Sequence, residues 1–386
     1  MLYLDHAATT PVRPEALEAM LPFLTDRFGN PSSHHTVGEA AAAALDDARR
    51  RVAAVVGMRS GDVVFTSGGT ESNNTAVKGL AIAAAQRAGA PVRVITTPIE
   101  HESVLASCDY LARVHDIEVV RMPVSATGRV DPGILAEALA PSSADGRTTA
   151  LVTLGYANNE IGTVQDIAAL SAVTSAARVP LHLDAVQAAG WLPLAGTGAD
   201  ALSIAGHKIG APPGIGVLAV RGRLPLEPLL HGGGQERDRR SGTENLAGAV
   251  GFAVALELAE AERAAGAARA SARRDAFISR VLALVPTARL TGDPLHRLPG
   301  TASFTFAGVS GEAVLLELER RGVVSSSGSA CAAGSDEPSH VLLALGISPE
   351  VAQTSVRFTF GHGDDLDLVP VADAVAASVA AVRSGG

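Results

Sequence analysis

The chain has 386 residues, more than one ordinary core holds, so its length predicts two domains, one large and one smaller. With 47% hydrophobic and 18% charged residues, its composition excludes a disordered or fibrous chain and is typical of a globular enzyme. The net charge of −9 argues against a nucleic-acid-binding protein, because affinity for phosphate backbones needs clustered Lys and Arg.

The N-terminal residues, the length of the apolar runs and the spacing of the cysteines further restrict the class of protein. The first residues show no basic stretch followed by an apolar core, and no apolar run reaches the roughly 20 residues that a membrane span requires. We therefore predict a cytoplasmic protein with no membrane contact and no direct contact with nucleic acid. The cysteines, Cys108 and Cys331, form no CxxC pair, so the sequence indicates neither a disulfide framework nor a zinc knuckle, and no metal site is predicted.

In roughly the first half of the chain, short apolar runs alternate with alanine-rich amphipathic stretches. This is the pattern of βαβ units around a buried, largely parallel sheet. Right-handed crossovers then bring the loops after the strand ends to one edge of the sheet, where ligands bind. The predicted strands cover residues 63–66, 92–96, 119–121, 150–153, 181–183 and 201–204.

The pattern changes after residue 245. A long Ala/Glu/Arg helix is predicted to run to about residue 280. Beyond it, residues 302–306 and 355–360 alternate like half-buried antiparallel strands, and residues 312–321 and 365–382 are predicted helices.

These elements predict a smaller α+β domain after the large one. We place the large domain at residues 15–255 and form the small domain from residues 1–14 and 256–386. A stretch of Ser, Gly and Ala around Cys331, at about residues 325–337, has little to bury and is expected to be mobile. A thiol in that stretch is accessible, whereas Cys108, inside a predicted helix, is expected to be a small buried hydrophobe.

Polar residues that follow the predicted strands are the candidates for chemistry. Lys208 lies in a small-residue loop after one strand, and Asp184 ends the strand before it. A pyridoxal phosphate (PLP) enzyme needs such a pair, a Schiff-base amine and a carboxylate that keeps the pyridine nitrogen protonated. Each residue also has an ordinary interpretation, a solvated surface lysine and a helix cap.

Three other features have a candidate role beside Lys208 and Asp184, and each also has an ordinary structural interpretation. The turn with Gly69 and Thr70, between a strand and a helix, is either a phosphate-binding turn or an ordinary capped one. His101 is either structural or a ring that stacks on a cofactor and exchanges a proton. Arg357 is either an ion-pair partner or a bidentate clamp for an amino-acid carboxylate.

In combination, a series of motifs resembles the PLP-dependent cysteine desulfurases, class V of the fold type I aminotransferase superfamily. The resemblance runs in order from residue 3 to about residue 361, and the long Cys331 loop is similar to that of the group serving iron–sulfur cluster assembly and nitrogen fixation. It implies an α/β fold, with a mainly parallel seven-stranded sheet in the large domain and a smaller α+β domain. The motifs are YLDHAATTP at 3–11, GTES at 69–72, Glu100-His101, ANNEIG at 157–162, HLDAVQ at 182–187, GHK at 206–208, HGGGQER at 231–237, RSGT at 240–243 and SGSAC at 327–331.

The resemblance also implies roles for individual residues. Lys208 would hold PLP covalently and transfer protons, Asp184 would contact the pyridine nitrogen, and His101 would stack on the ring. Gln187 would contact the phenolic oxygen. Asn158 would lie near both PLP and the substrate carboxylate. The carboxylate of L-cysteine would be bound by Arg357, and the PLP phosphate by Gly69, Thr70, His207, backbone amides and Thr243 from the neighbouring subunit of a homodimer.

The activity that the resemblance implies is conversion of L-cysteine to L-alanine. The sulfur would pass to Cys331 as a persulfide and then to an acceptor protein, such as an iron–sulfur scaffold or a relay for thio-cofactor or tRNA synthesis. A selenocysteine lyase or another class V aminotransferase would share Lys208 and Asp184. A non-catalytic sulfur-transfer scaffold would keep only the fold.

Two positions depart from the family pattern. Many relatives carry Ser where this chain has Ala205, so we predict that fewer side chains hold the phosphate here. Ser203 lies about 6.5 Å further back along the strand and is not expected to substitute. Asn73 stands where relatives often have Asp, and we predict that it is peripheral to the chemistry.

Overall fold

A computed structural model describes residues 1–140, 146–327, 337–361 and 366–385 of the chain. Cys331 and most of its predicted loop lie outside the described residues. The strands of the described part are β1 Leu2–Tyr3, β2 Val63–Thr66, β3 Val92–Thr96, β4 Glu118–Arg121, β5 Thr148–Gly155, β6 Leu181–Asp184, β7 Ala201–Ala205, β8 Gly216–Val220, β9 Ala288–Leu290, β10 Thr301–Phe306, β11 Val323–Val324 and β12 Ser355–Thr359.

The helices take up the alanine-rich stretches between the strands and most of the C-terminal region. They are α1 Pro14–Leu24, α2 Thr36–Val56, α3 Gly69–Asn74, α4 Leu80–Ala88, α5 Glu102–His115, α6 Pro132–Leu139, α7 Ile167–Ala177, α8 Leu246–Leu284, α9 Gly311–Arg320, α10 His340–Ala344, α11 Pro349–Ala352 and α12 Val369–Gly385. None of these described helices is both long and apolar enough to cross a membrane.

The central sheet has seven strands among the described residues, in the order β2-β8-β7-β6-β5-β3-β4. All six predicted strands are present, and the expected mainly parallel seven-stranded sheet is confirmed. The seventh strand, β8, was not predicted, and it pairs antiparallel with both β7 and β2. The segment between β7 and β8, residues 206–215, is too short for the crossover that a parallel neighbour requires.

Successive side chains of a β-strand point to opposite faces of the sheet. In the central sheet they therefore pack into two apolar layers, one on each face. Val63 and Phe65 pack with the layer that includes α1, α2 and the first turns of α8. Val64, between them, packs with α4 and α5 on the opposite face. Both faces of the sheet are therefore covered, and the edge at the strand ends is where a ligand can reach it.

The C-terminal sheet, β12-β10-β9, is antiparallel as predicted, but its two predicted strands, β10 and β12, are not half-buried. Every residue of β10 and β12 is buried. Phe304 and Phe358 pack with Phe277 of α8 on the apolar face. The polar face is covered by the N-terminal segment, whose Ala7 N–H donates to the Thr359 hydroxyl at 2.8 Å.

Helix boundaries differ from prediction by a few residues. Helix α8 runs on to Leu284, and α12 begins at Val369 rather than 365. The domain boundary that we predicted at residue 255 falls inside α8, a continuous helix, and stays a prediction.

Candidate active site

The carboxyl ends of β3, β5, β6 and β7 meet at one edge of the central sheet and open into a cavity of about 260 Å³. The lining residues between Ile99 and Lys208 come together because parallel strands end at the same edge, and the N-terminal segment and Arg357 of β12 complete the lining. Six residues predicted from the sequence line this cavity: His101, Asn158, Asp184, Gln187, Lys208 and Arg357.

Asp184 ends β6 and is held by donors to both carboxylate oxygens. The backbone N–H of Val186 donates to Oδ1 at 3.0 Å, and Asn73 Nδ2 donates to Oδ2 at 2.6 Å. The prediction that Asn73 is peripheral is therefore wrong: it is 1% exposed and contacts the carboxylate directly. Asn73 and Asp184 are 111 residues apart, and only the fold brings α3 beside the end of β6.

Lys208 closes a 3₁₀ turn, Gly206–Lys208, that follows β7 directly. The turn fits because position 206 has no side chain: a Cβ there would lie 2.9 Å from the carbonyl oxygen of Ile215. Lys208 Nζ donates to the carbonyl oxygens of Ala7 and, at 2.6 Å, Ala8. The amine is thus held at the cavity wall by the N-terminal segment.

His101 is the N-cap of α5, and its ring rather than a hydroxyl or carboxylate accepts the capping bond. The backbone N–H of Ser103 donates to His101 Nδ1 at 3.1 Å, and Ser103 Oγ lies 2.8 Å from the same nitrogen. Capping therefore fixes the ring at the cavity wall.

Arg357 has the ion-pair partner that one interpretation of the sequence required, and its role as a carboxylate clamp stays a prediction. Its Nη2 donates to Asp5 Oδ1 at 2.7 Å, and its Nη1 donates to the carbonyl oxygen of Asn159 at 2.9 Å. The side chain is 1% exposed yet lines the cavity. The ion pair with Asp5 orients a guanidinium that can still meet a carboxylate in the cavity.

Asn158 and Gln187 also line the cavity, but their hydrogen bonds serve the protein. Asn158 Oδ1 accepts from the backbone N–H groups of Glu160 and Ile161 at 2.9 and 3.0 Å, which shapes the turn after β5. Gln187 Nε2 donates to the carbonyl oxygen of Ala7 at 3.2 Å.

The predicted phosphate ligands are not among the residues that line the cavity. Gly69 adjoins its wall, because a Cβ there would lie 2.8 Å from Val186 Cγ2, and Val186 lines the cavity. Thr70 is exposed at the start of α3, and Thr243 is exposed in a distant segment of the chain. Arg240 Nε donates to Glu71 at 3.0 Å, so the segment that leads to Thr243 is tied to the Thr70 turn.

Two histidines near the site are held neutral. Burial, and then the charge of Lys208, lowers the pKa of His207 to about 4; its Nδ1 lies 3.2 Å from the Thr9 hydroxyl. Burial lowers the pKa of His182 to about 4. His182 Nε2 lies 2.9 Å from Ser203 Oγ, and this contact engages the Ser203 hydroxyl inside the sheet. Ser203 therefore does not replace the hydroxyl that Ala205 lacks.

Glu100 is a cavity-lining acid to which the sequence analysis gave no role. Burial, with a smaller contribution from the charge of Asp184, raises its pKa to about 8. Its Oε2 accepts from the backbone N–H of Gly155 at 2.5 Å, and its Oε1 lies 2.6 Å from Thr97 Oγ1. Its position directly before His101, in the loop that follows β3, was the signal in the sequence.

Ser326 and His340, described residues on either side of the Cys331 segment, each contact a residue that lines the cavity. Ser326 exchanges two backbone hydrogen bonds with Arg357, of 3.1 and 2.7 Å. On the other side, Ser339 Oγ donates to Glu160 at 2.5 Å, and His340 Nε2 lies 3.0 Å from the carbonyl oxygen of Glu100. The chain thus leaves and re-enters the described structure beside the cavity.

Cys108 is a buried free cysteine, as predicted. Burial, and then the charge of Glu100, raises the pKa of its thiol to about 12. Because the thiolate is the nucleophilic form, Cys108 is chemically inert at neutral pH.

Comparison with known proteins agrees with this geometry. The profile of the family described as aminotransferase class-V matches residues 2–367. The chain belongs to this family. A cysteine desulfurase IscS from Dictyoglomus turgidum is 43% identical over 93% of this chain and 89% of its own length, which places the chain in the cysteine desulfurase group.

Solved structures support the same fold. A structure titled as a NifS-like protein superposes with a TM-score of 0.87 at 31% identity and covers all of both chains. A structure of SspA in complex with cysteine has a TM-score of 0.79 at 34% identity, over 93% of this chain and 99% of its own. The central sheet and its helices are thus those of NifS-like enzymes.

Proposed function

We propose that the protein is a PLP-dependent cysteine desulfurase that converts L-cysteine to L-alanine and takes the sulfur onto Cys331 as a persulfide. The observation that carries the proposal is the meeting of Lys208, Asp184, His101 and Arg357 in one cavity at the strand ends. Similar proteins support the same activity: one is a cysteine desulfurase, and another was solved in complex with cysteine.

The cavity residues fit PLP by their chemistry. Lys208 would hold the PLP aldehyde through its amine, and Asp184, with both oxygens held by donors, would be the partner for the pyridine nitrogen. His101 would stack on the ring, Gln187 would contact the phenolic oxygen, and Asn158 would lie near the substrate. Bound PLP supplies an electron sink for the substrate Cα.

The phosphate would be held at the Gly69 and Thr70 turn, by backbone amides and by few side chains, because Ala205 has no hydroxyl. His207 would contribute as a neutral ring, given its lowered pKa of about 4. Thr243 would contribute from the neighbouring subunit of a homodimer.

The protein's own residues handle the substrate and the sulfur. Arg357, oriented by Asp5, binds the substrate carboxylate, and Lys208 moves the Cα proton. The Cys331 thiolate then attacks the substrate sulfur: the carbon–sulfur bond breaks, a sulfur–sulfur bond forms, and the former Cβ gains a proton to give alanine. The persulfide passes to an acceptor protein, such as an iron–sulfur scaffold, and we infer that the reaction takes place in the cytoplasm.

Mass spectrometry after brief exposure to L-cysteine tests the proposal. We expect one extra sulfur on the peptide that contains Cys331, and none on the peptide that contains Cys108, whose thiol is buried with a pKa raised to about 12. The Cys331→Ala variant should keep PLP and lose sulfur release, and Cys108→Ala should keep both.

Two outcomes would contradict the proposal. Unchanged sulfur release by Cys331→Ala would favour a selenocysteine lyase or another class V enzyme that does not need this thiol. Purified protein that stays colourless with added PLP would favour a non-catalytic scaffold.

A further inference from the structure

We propose that Asn73 and Ser103 are positioning residues that join Asp184 to His101 through one directional chain of hydrogen bonds. The inference deepens the proposed function and rests on it, because Asp184 and His101 are the residues assigned there to the PLP ring. The proposal explains how Asp184 and His101, at the two ends of this chain of hydrogen bonds, are held relative to each other.

The contacts form an unbroken series across the cavity wall. Asn73 Nδ2 lies 2.6 Å from Asp184 Oδ2 and 2.9 Å from Ser103 Oγ, and Ser103 Oγ lies 2.8 Å from His101 Nδ1. Asn73 is 1% exposed and Ser103 8% exposed, so water competes little for these bonds.

The direction of every bond follows from the first one. A carboxylate only accepts, so Asn73 must turn its amide nitrogen toward Asp184. The second hydrogen of the same nitrogen goes to Ser103 Oγ. In agreement, Asn73 Oδ1 is buried and has no hydrogen-bond partner among the described residues. A flipped amide would place that oxygen against a carboxylate oxygen 2.6 Å away.

The same logic fixes the histidine. Ser103 Oγ accepts from Asn73 and therefore has its own hydrogen to donate to His101 Nδ1. The backbone N–H of Ser103 also donates to Nδ1, at 3.1 Å. Two donors aimed at one nitrogen leave it without a proton, so the chain holds His101 as the neutral tautomer with its proton on Nε2.

Nitrogen NMR of the protein without PLP tests the tautomer. In ¹⁵N-labelled protein at mildly alkaline pH, we expect the His101 signals to show a protonated Nε2 and a bare Nδ1, assigned by their loss in His101→Gln. In Ser103→Ala, which removes one of the two donors, we expect a measurable population of the other tautomer. A wild-type proton on Nδ1 would overturn the proposal.

The affinity for PLP tests the other end of the chain. Asn73→Leu keeps the branched shape of the side chain without its amide, and we expect it to weaken PLP binding roughly tenfold, the effect of losing a hydrogen bond to a charged group. Ser103→Ala leaves the contact between Asn73 and Asp184 and should bind PLP within about threefold of wild type. Unchanged binding by Asn73→Leu would overturn the proposal, because a packing role alone survives that substitution.

A matched control lies on the same helix. Ser107 Oγ donates to the carbonyl oxygen of Ser103 at 2.7 Å and is 1% exposed, but it belongs to neither end of the chain. Ser107→Ala should change neither the tautomer nor PLP binding. If these results hold while L-cysteine leaves no sulfur on the protein, the proposed function fails and the positioning chain stands. If wild type binds no PLP, the NMR result still decides whether the chain exists.

Discussion

Glu100 shows how burial changes the chemistry of a single residue at the cavity. With its pKa raised to about 8, the carboxyl group is mostly neutral at pH 7 and adds little negative charge beside Asp184. Its contacts remain available to a protonated acid, because the Gly155 N–H donates to Oε2 and the Thr97 hydroxyl donates to Oε1. The neutral state therefore serves the fold and adds no second negative charge beside Asp184.

We predict that Glu100→Gln flattens the dependence of stability on pH. Because the folded pKa of about 8 exceeds the reference value of 4.5, this group stabilises the fold fully below pH 4.5, and that stability is lost as pH rises through 8. In this window wild type should lose up to about 1.4 kcal/mol of unfolding free energy per pH unit from this group. Glutamine keeps the shape of the side chain and one acceptor oxygen without a titrating proton, and denaturant unfolding across the window measures the difference.

Glu102→Gln is the control, because it removes a carboxylate two residues away whose side chain is 56% exposed. It should leave the slope unchanged. Equal slopes for wild type and Glu100→Gln would show that Glu100 is ionised in the folded protein and would refute the prediction.

The turn at Gln235–Asp238 shows how one element is held in an unfavourable shape. Glu236, Arg237 and Asp238 have φ angles of 49°, 59° and 62°, a left-handed conformation that non-glycine residues rarely adopt. Arg49 of α2 holds the turn through a buried ion pair, with Nη1 2.6 Å from Glu236 Oε2. This turn leads to Thr243, so the ion pair fixes the start of the segment proposed to reach the neighbouring subunit.

We predict that Glu236→Ala destabilises the protein by about 3 kcal/mol, because it leaves the buried Arg49 charge without its partner. Arg50→Ala is the matched control on the same helix: it removes an exposed ion pair with Asp47 and should cost no more than about 0.5 kcal/mol. Urea unfolding of both variants measures the difference. A loss for Glu236→Ala as small as that of the control would contradict this role of the pair.

The sequence predicted the strands and helices whose signal lies within their own residues. The runs at β6 and β7 are apolar and bounded by polar loops, so both strands were predicted, as was the helix that became α8. Strand β8 was missed because GVLAV at residues 216–220 follows a stretch of Gly and Pro that indicates a loop. The covered polar face of β10 could not be predicted, since it depends on where the N-terminal segment packs.

The candidate site was likewise predictable only where a residue stands in a recognisable local setting. Lys208 and Asp184 stand in recognisable local settings, whereas Asn73 gave no sign of its contact with Asp184, because that contact is created by the packing of α3 against the end of β6. Similarly, the pairing of Arg357 with Asp5 joins residues 352 positions apart. Contacts of this kind follow from the tertiary fold and not from the pattern around either residue.

At the scale of the whole molecule, an apolar surface and an exposed segment support the proposed homodimer. Four large apolar side chains at and just beyond α1 are between 49% and 65% exposed: Leu17, Leu21, Leu24 and Phe28. Exposing this much apolar surface to water is unfavourable for a helix that faces solvent. Thr243 is exposed and lies outside the residues that line the cavity of its own chain. Both features suit a subunit whose site is completed by a partner.

Mixing two inactive variants tests that arrangement. Lys208→Ala removes the amine, and Thr243→Asp places a negative charge where the phosphate would bind. If Thr243 acts across the interface, mixed dimers contain one intact site, so refolding equal amounts together should restore activity to about a quarter of all sites. If Thr243 acts within its own chain, the mixture stays as inactive as its parents, and the proposal fails.

The central claim is that Lys208 holds PLP in the cavity, and the composition makes it unusually easy to test. The sequence has only two lysines, Lys78 and Lys208, and burial lowers the pKa of Lys78, which makes it a genuine competitor for an aldehyde. Borohydride reduction of the PLP-loaded protein, followed by peptide mass spectrometry, identifies the bonded amine. We predict a single pyridoxyl group on the peptide that contains Lys208 and none in Lys208→Ala; labelling of Lys78 alone, or of neither lysine, would contradict the account.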